Sequence, residues 1–125
     1  MILLVDAHAL LWALGAPEEL ADDARAALTS PANDVLVSAA SLWEIAIKQS
    51  LGKLRAPAGL VAASEALGFG VLPITGVDAE RAGALPMHHR DPFDRMLVAQ
   101  ASRLDATLVS RDEAFAAYGV NVIRA

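Results

Sequence analysis

The chain of 125 residues has no cysteine and few aromatic residues, which make up only 5% of it. The missing thiols exclude cysteine catalysis, cysteine metal sites and disulfides, and they fit a reducing compartment. Because 55% of the residues are nevertheless hydrophobic, the core must be built mainly from Ala, Leu, Val and Ile. The length fits one domain over residues 1–125.

Basic residues are also fewer than acidic residues. The chain has 10 Lys and Arg against 15 Asp and Glu, so its formal net charge is −5. This balance counts against a protein that coats nucleic acid nonspecifically, since such proteins are usually basic. It does not exclude a nuclease, because a cluster of acids that binds divalent cations lowers the isoelectric point, and the cations then attract phosphate.

Long hydrophobic runs are absent. No stretch reaches the roughly 18 apolar residues that a membrane span requires, and Asp6 interrupts the apolar run near the start. That run lacks the basic flank of a signal peptide, so we expect a cytoplasmic protein with no membrane partner. The mean hydropathy of +0.42 is high for a chain of this size and predicts that a protein partner covers some apolar surface.

Short apolar runs alternate with segments of helical periodicity along the whole chain. The apolar runs predict strands at 2–5, 34–37, 71–74, 107–109 and 120–123. The segments between them predict helices at 7–14, 17–28, 41–51, 57–67, 78–85, 91–104 and 113–118. This order predicts an α/β fold with a mostly parallel central sheet of about five short strands and helices on both faces. Pro73 indicates that the third strand lies at an edge of the sheet or ends there.

Acidic residues recur where these strands end. Asp6 follows the first strand, Glu44 lies one turn into the helix after the second, and Asp112 follows the strand at 107–109. Asp94 opens the long helix at 91–104, whose direction decides whether it reaches the same edge. In parallel sheets the functional site lies beyond the carboxyl ends of the strands. Gathered acids repel one another unless a cation neutralises them, and carboxylates suit Mg²⁺ or Mn²⁺, which support phosphodiester hydrolysis.

Each acid also has a purely structural interpretation, which the sequence leaves open. Asp6 and Asp112 are suited to cap the helices that follow them. The segment Ser41–Glu44 has the S-x-x-E pattern of a capping box, in which Glu44 would serve its own helix end. Asp91 would be the N-cap of a helix with Pro92 at its first position.

Four segments together resemble a known family. They are LLVDAHALLWAL, SAASLWEIAIKQSLGKL, HRDPFDRMLVAQA and LVSRDEAF, and they resemble the PIN-domain toxins of VapC type, the nuclease halves of toxin–antitoxin pairs. The resemblance covers nearly the whole chain. It implies a PIN-like α/β domain and a Mg²⁺- or Mn²⁺-dependent endoribonuclease that hydrolyses RNA with a metal-activated water. It also implies a small partner antitoxin and, commonly, a homodimer.

The resemblance assigns roles to particular residues. The family's catalytic and metal-binding acids fall on Asp6, Glu44 and Asp94, with Asp112 as a frequent fourth. Asp91 belongs to the HRDPFD subgroup, and we interpret it as a helix cap or as a group that supports the ligands, with a direct role as a ligand left open.

Rival functions fit the motifs less well. A phospho-receiver domain needs an acidic pair after the first strand, where only Asp6 stands, and a haloacid-dehalogenase-like phosphatase needs D-x-D, where the chain has Asp6-Ala7-His8. A zinc site at His88 and His89 lacks a third ligand at a motif spacing. A non-catalytic interaction module, whose acids only cap helices, stays open.

Basic and aromatic residues near the acids complete the expectations. Arg90, Arg95 and Arg111 lie in the segments that carry the acids and are candidates to contact RNA phosphates, or else to pair with the neighbouring acids. Trp12 and Trp43 lie on apolar helix faces, so we expect them in the core or at a dimer interface.

Overall fold

The structure, a computed structural model, describes residues 1–125. Its five strands are β1 Ile2–Val5, β2 Asp34–Ser38, β3 Gly70–Leu72, β4 Thr107–Ser110 and β5 Val122–Arg124. Its α-helices are α1 Ala7–Gly15, α2 Asp22–Thr29, α3 Ala39–Ser50, α4 Leu60–Ala66, α5 Gly76–Ala84 and α6 Pro92–Leu104. Two 3₁₀ helices cover Pro17–Glu19 and Glu113–Tyr118. None of these helices has both the length and the apolar composition to cross a membrane.

The strands form one sheet in the order β3-β2-β1-β4-β5, and every neighbouring pair is parallel. The predicted α/β fold with a five-stranded parallel sheet is therefore confirmed, and β3 is an edge strand as Pro73 indicated. This order differs from the 2-1-3-4-5 order of receiver domains, which argues against the phospho-receiver alternative.

Side chains alternate between two apolar clusters on the opposite faces of the sheet. In β1, Leu3 and Val5 belong to the cluster that includes Ile45 of α3. Leu4 belongs to the other cluster, with Leu97 of α6. Because both faces are covered, the central strand needs apolar residues at every position, which explains the unbroken run at 2–5.

One predicted helix is broken and three predicted starts are wrong, including that of α5, which starts at Gly76 instead of Asp78 because Thr75 caps it. The segment 17–28 is not one helix, because the backbone is extended at Leu20 and this side chain turns into the core. The third helix starts at Ala39 instead of Ser41, since the Ser38 side chain accepts the Ala40 N–H and caps it. The fourth starts at Leu60, after Gly59 takes a left-handed conformation.

A buried carboxylate ties α5 to α6. Asp78 is fully buried, and its oxygens accept hydrogen bonds from Arg103 Nε at 2.6 Å and Nη2 at 3.1 Å. The same side chain accepts the Thr75 N–H within a capping box at the start of α5. The hydrogen bonds from Arg103 outweigh burial and lower the pKa of Asp78 to about 2. The Asp78 carboxylate thus both stabilises the start of α5 and joins α5 to α6.

We expect Asp78→Asn to lower the free energy of unfolding at neutral pH by about 2 kcal/mol, since it removes charge-assisted hydrogen bonds. The pKa of this carboxyl is lower in the folded state than in the unfolded state. Its stabilisation is therefore present above about pH 4 and lost as the pH falls towards about 2. Urea denaturation across this range should show the two proteins converging at acidic pH.

The matched control is Asp22→Asn. Asp22 also pairs with an arginine, Arg25, at 2.6 Å, but its side chain is 95% exposed. Exposed pairs contribute at most about 1 kcal/mol, so this variant should unfold nearly as the wild type does. Equal stability of Asp78→Asn and Asp22→Asn would contradict the role given to Asp78.

Candidate metal centre

The predicted acids meet at the carboxyl edge of the sheet. Asp6 follows β1, Asp112 lies just past β4, and Glu44 projects from the helix after β2. Asp94 lies in the first turn of α6. Because α6 starts at this edge of the sheet, Asp94 lies at the same edge as the other three acids. The cleft between them has a volume of about 310 Å³. It is lined by Asp6, Ala7, His8, Trp12, Glu44, Lys48, Asp91, Asp94, Arg111 and Asp112.

Asp6 is both a helix cap and a wall of the cleft. Its Oδ1 accepts the Ala9 N–H at 2.8 Å, which caps α1, and Ser110 Oγ donates to its Oδ2 at 2.5 Å. Burial raises the pKa of the Asp6 carboxyl above its usual value, although these two hydrogen bonds oppose the shift. The two interpretations of this residue are thus compatible.

Glu44 does not serve its own helix end. Because α3 starts at Ala39 and is capped by Ser38, the capping-box interpretation of Ser41 and Glu44 is wrong. Glu44 is buried in the second turn. Its Oε2 accepts a hydrogen bond from Lys48 Nζ at 2.7 Å. The carboxylate is therefore free of any capping duty and faces the cleft.

Asp91 and Asp94 share the start of α6. Asp91 Oδ1 accepts the N–H groups of Phe93 at 2.8 Å and Asp94 at 3.2 Å, so the predicted N-cap is confirmed. The pKa of Asp94 is raised to about 7, first by burial and then by the negative charge of Asp91, while His89 opposes the shift. Asp94 is therefore the acid on which the crowding of charge weighs most.

His89 bridges two of the acids. Its Nε2 lies 2.8 Å from Asp94 Oδ2 and 2.9 Å from Asp112 Oδ2, while Asp112 Oδ1 accepts the Ala114 N–H and caps the second 3₁₀ helix. Burial lowers the pKa of His89, but the hydrogen bond to Asp112 and the charge of Asp94 raise it further, for a net increase. Sequence reasoning set His89 aside as a poor zinc ligand, and only its place in HRDPFD marked it.

The donor set fits a hard divalent cation. All four predicted carboxylates line the cleft, and the ligand atoms of His89, Asp94 and Asp112 lie within 4.8 Å of one another, a group that does not include Asp6 or Glu44. Buried like charges raise each other's pKa, as Asp94 shows, and a cation relieves this repulsion. Carboxylate oxygens are the ligands that Mg²⁺ and Mn²⁺ prefer, so Asp6, Glu44, Asp94 and Asp112 are suited to hold such an ion.

The expectation that Arg95 contacts RNA is wrong, and of the two places expected for Trp43, core or dimer interface, the core is excluded. Arg95 is buried and its guanidinium donates to main-chain carbonyls, including Ala82 at 2.9 Å and Leu85 at 2.8 Å, so it cannot reach RNA. Trp43 is not in the core, since it is 62% exposed. Trp12 lies at the edge of the cleft, with the Arg111 guanidinium 4.0 Å from its ring centroid.

We expect the metal-free protein to lose stability as the pH rises from about 4 to about 7. The pKa of Asp94 is raised in the fold to about 7, so the folded protein binds this proton more tightly than the unfolded chain. Asp94→Asn removes the ionisation and should be more stable than the wild type above pH 7. Urea denaturation in a metal chelator measures the difference.

The control for this experiment is Asp34→Asn, at an exposed carboxylate outside the cleft. Its stability should follow that of the wild type at every pH. A loss of stability in Asp94→Asn above pH 7 would mean that the ionised carboxylate stabilises the fold, contrary to the geometry of the cleft.

Comparison with known proteins gives one family and a set of similar structures. A model of the PIN domain family matches residues 3–121. No protein with a curated description matches the chain in sequence. At the structural level, the chain is similar to one in the crystal structure of VapBC2 from Rickettsia felis bound to a DNA fragment from their promoter. The TM-score is 0.71 and the identity 14%, over 98% of each chain.

Two further structures are similar over most of the chain. FitAcB from Neisseria gonorrhoeae has 21% identity and a TM-score of 0.62, with 99% of this chain and 97% of the other covered. A toxin-antitoxin complex from Klebsiella pneumoniae has 20% identity and a TM-score of 0.63, with 97% of this chain and 95% of the other covered. At these identities the likeness shows a common fold.

The family assignment rests on the sequence match, which runs from Leu3 in β1 to Asn121, just before β5. The fold described above agrees with it, and so do the four motifs that suggested it. The chain therefore belongs to the PIN-domain family, a family of nucleases.

Proposed function

We propose that this PIN domain is a metal-dependent endoribonuclease and the toxin of a VapC-type toxin–antitoxin pair, with residues 1–125 forming one catalytic domain. The observation that carries the proposal is the gathering of Asp6, Glu44, Asp94 and Asp112 around one cleft. These residues come from four separate elements. Helix capping accounts for Asp6 and Asp112 but leaves Glu44 and Asp94 unexplained.

The four carboxylates would hold Mg²⁺ or Mn²⁺. When bound, such an ion neutralises phosphate charge and increases the acidity of an attacking water. Asp6 is held for this by Ser110 and by its cap to α1. The pKa of Asp94 is raised to about 7, so binding of a cation would favour release of the proton that this carboxyl partly retains at neutral pH. Ligands fixed by hydrogen bonds keep the geometry of the cleft constant.

Positive charge at the cleft supports an RNA substrate. Lys48 lines the cleft and is paired with Glu44, and Arg111 lines it beside Trp12. Phosphate contacts supply most of the affinity for nucleic acid. Arg90 is exposed in the loop before α6 and stays a candidate for such a contact.

Exposed apolar side chains support protein partners. Trp43, Leu51 and Met87 are each more than 60% exposed, and large exposed apolar side chains are candidates for contact with a protein partner. The similar structures include a complex described as toxin-antitoxin. We infer that a small antitoxin and a second copy of this chain cover these surfaces in the cytoplasm.

The first test is cleavage of single-stranded RNA in the presence of Mg²⁺ or Mn²⁺. We expect Asp6→Asn and Asp94→Asn each to lower the rate on the order of 100-fold, as the loss of a residue that supports the metal does. A chelator should abolish cleavage by the wild type, and DNA of the same sequence should be cut more slowly.

Glu65→Gln is the matched control, because Glu65 is an exposed carboxylate on α4, away from the cleft. It should cleave RNA at the wild-type rate. Cleavage by Asp6→Asn at that same rate would remove Asp6 from the site, and the absence of Mg²⁺ or Mn²⁺ binding in calorimetry would favour the non-catalytic interaction module.

The second test addresses the toxin role. Expression of the wild type should arrest growth, and co-expression of the gene next to it should restore growth. Asp6→Asn should not arrest growth, since the arrest would come from RNA cleavage. Harmless expression of a wild type that cleaves RNA in vitro would contradict the toxin role while leaving the nuclease activity in place.

A further inference from the structure

The imidazole of His89 sits between two acids of the cleft. Its Nε2 is within hydrogen-bond distance of both Asp94 and Asp112, at 2.8 and 2.9 Å. The side chain is mostly buried, with its ring beside Phe115. A histidine placed in this way can act as a ligand of the cation, as a competitor of the cation, or as a donor that orients the carboxylates.

The other ring nitrogen decides between these roles. The main-chain N–H of Asp91 donates to His89 Nδ1 at 3.3 Å, so Nδ1 is the nitrogen without a proton. The proton of the neutral ring is therefore on Nε2, where it points at the two carboxylates. A nitrogen that carries a proton has no lone pair for a metal, which argues against ligation by His89.

The backbone of His89 is held at the same time. Tyr118 Oη accepts the His89 N–H at 2.9 Å, and Arg95 Nη1 donates to the His89 carbonyl at 3.2 Å. Arg95 also donates to the carbonyls of Ala82 and Leu85 and so fixes the preceding loop. With the backbone fixed at these points, the ring itself is restrained by the Asp91 N–H on Nδ1 and by Phe115 beside it, which argues against a competitor that must leave.

We propose that His89 is a positioning residue, which donates its Nε2–H to Asp112, lies 2.8 Å from Asp94 Oδ2, and thereby holds the two carboxylates in the geometry that receives the cation. The proposal rests on the proposed function, since it assumes that these acids bind Mg²⁺ or Mn²⁺. Asp112 Oδ1 is engaged by Ala114, so both oxygens of Asp112 have fixed donors. Partners that orient metal ligands in this way typically contribute 10- to 100-fold to affinity.

The variants His89→Gln and His89→Ala distinguish a metal ligand, a competitor of the cation and a donor that orients the carboxylates. Glutamine carries an N–H donor close to the place of Nε2, but its amide nitrogen does not bind metal. We expect His89→Ala to weaken Mn²⁺ binding about tenfold or more, and His89→Gln to restore affinity to within about threefold of the wild type. Titration calorimetry measures both. His88→Ala is the matched control, because the neighbouring ring is exposed and packs on Tyr118.

Pulsed electron paramagnetic resonance on Mn²⁺ bound to the wild type tests directly whether a histidine nitrogen is a ligand. We expect no coupling to a directly bound imidazole nitrogen. Such a coupling, lost in His89→Gln, would make His89 a ligand and overturn the proposal. Mn²⁺ binding to His89→Ala that is as tight as or tighter than binding to the wild type would overturn it too.

Failure of the proposed function gives a different result. In that case the wild type binds neither Mn²⁺ nor Mg²⁺. The bridge itself is then tested by long-range proton–nitrogen NMR on the metal-free protein, in which we expect the proton on Nε2 of His89. A proton on Nδ1 alone would overturn the positioning role whatever the cation does.

Discussion

Crowded negative charge at one edge of a parallel sheet is the constraint on which the site depends. The amino ends of helices at this edge help the fold to tolerate the negative charge. Asp6, Asp91 and Asp112 each accept a main-chain N–H where a helix begins, and the amino ends of helices carry partial positive charge. The capping and functional interpretations of these acids are therefore not rivals. An aspartate that caps a helix start is also fixed in direction by the hydrogen bond that it accepts.

Much of the fold was predictable because its signals are local. The apolar run at 2–5 coincides with β1, and the acids that follow the strands reach the predicted edge. The break at Leu20 was not predictable, since it arises because this side chain enters the core. The start of α3 at Ala39 follows from the cap by Ser38, which competed with an equally good pattern at Ser41.

The part of the site around His89 depends on contacts between residues distant in the chain, which a sequence pattern does not reveal. Tyr118, on the second 3₁₀ helix, holds the main chain of His89 from 29 positions away. In the sequence, Arg95 looks the same as an arginine that binds RNA. In the structure its guanidinium donates to main-chain carbonyls of the segment before α6. Only packing distinguishes a charge that supports a loop from a charge that meets a ligand.

Two aspartates at helix starts, one buried and one partly buried, show how surroundings decide the pKa of the same residue type. Asp78 lies at the start of α5 with the Arg103 guanidinium against it, and its pKa falls to about 2. Asp94 lies at the start of α6 among other acids, and its pKa rises to about 7. The first carboxylate is already neutralised by the fold. The second is partnered only by His89, and a carboxylate with a strongly raised pKa in a cleft is a candidate for a functional site.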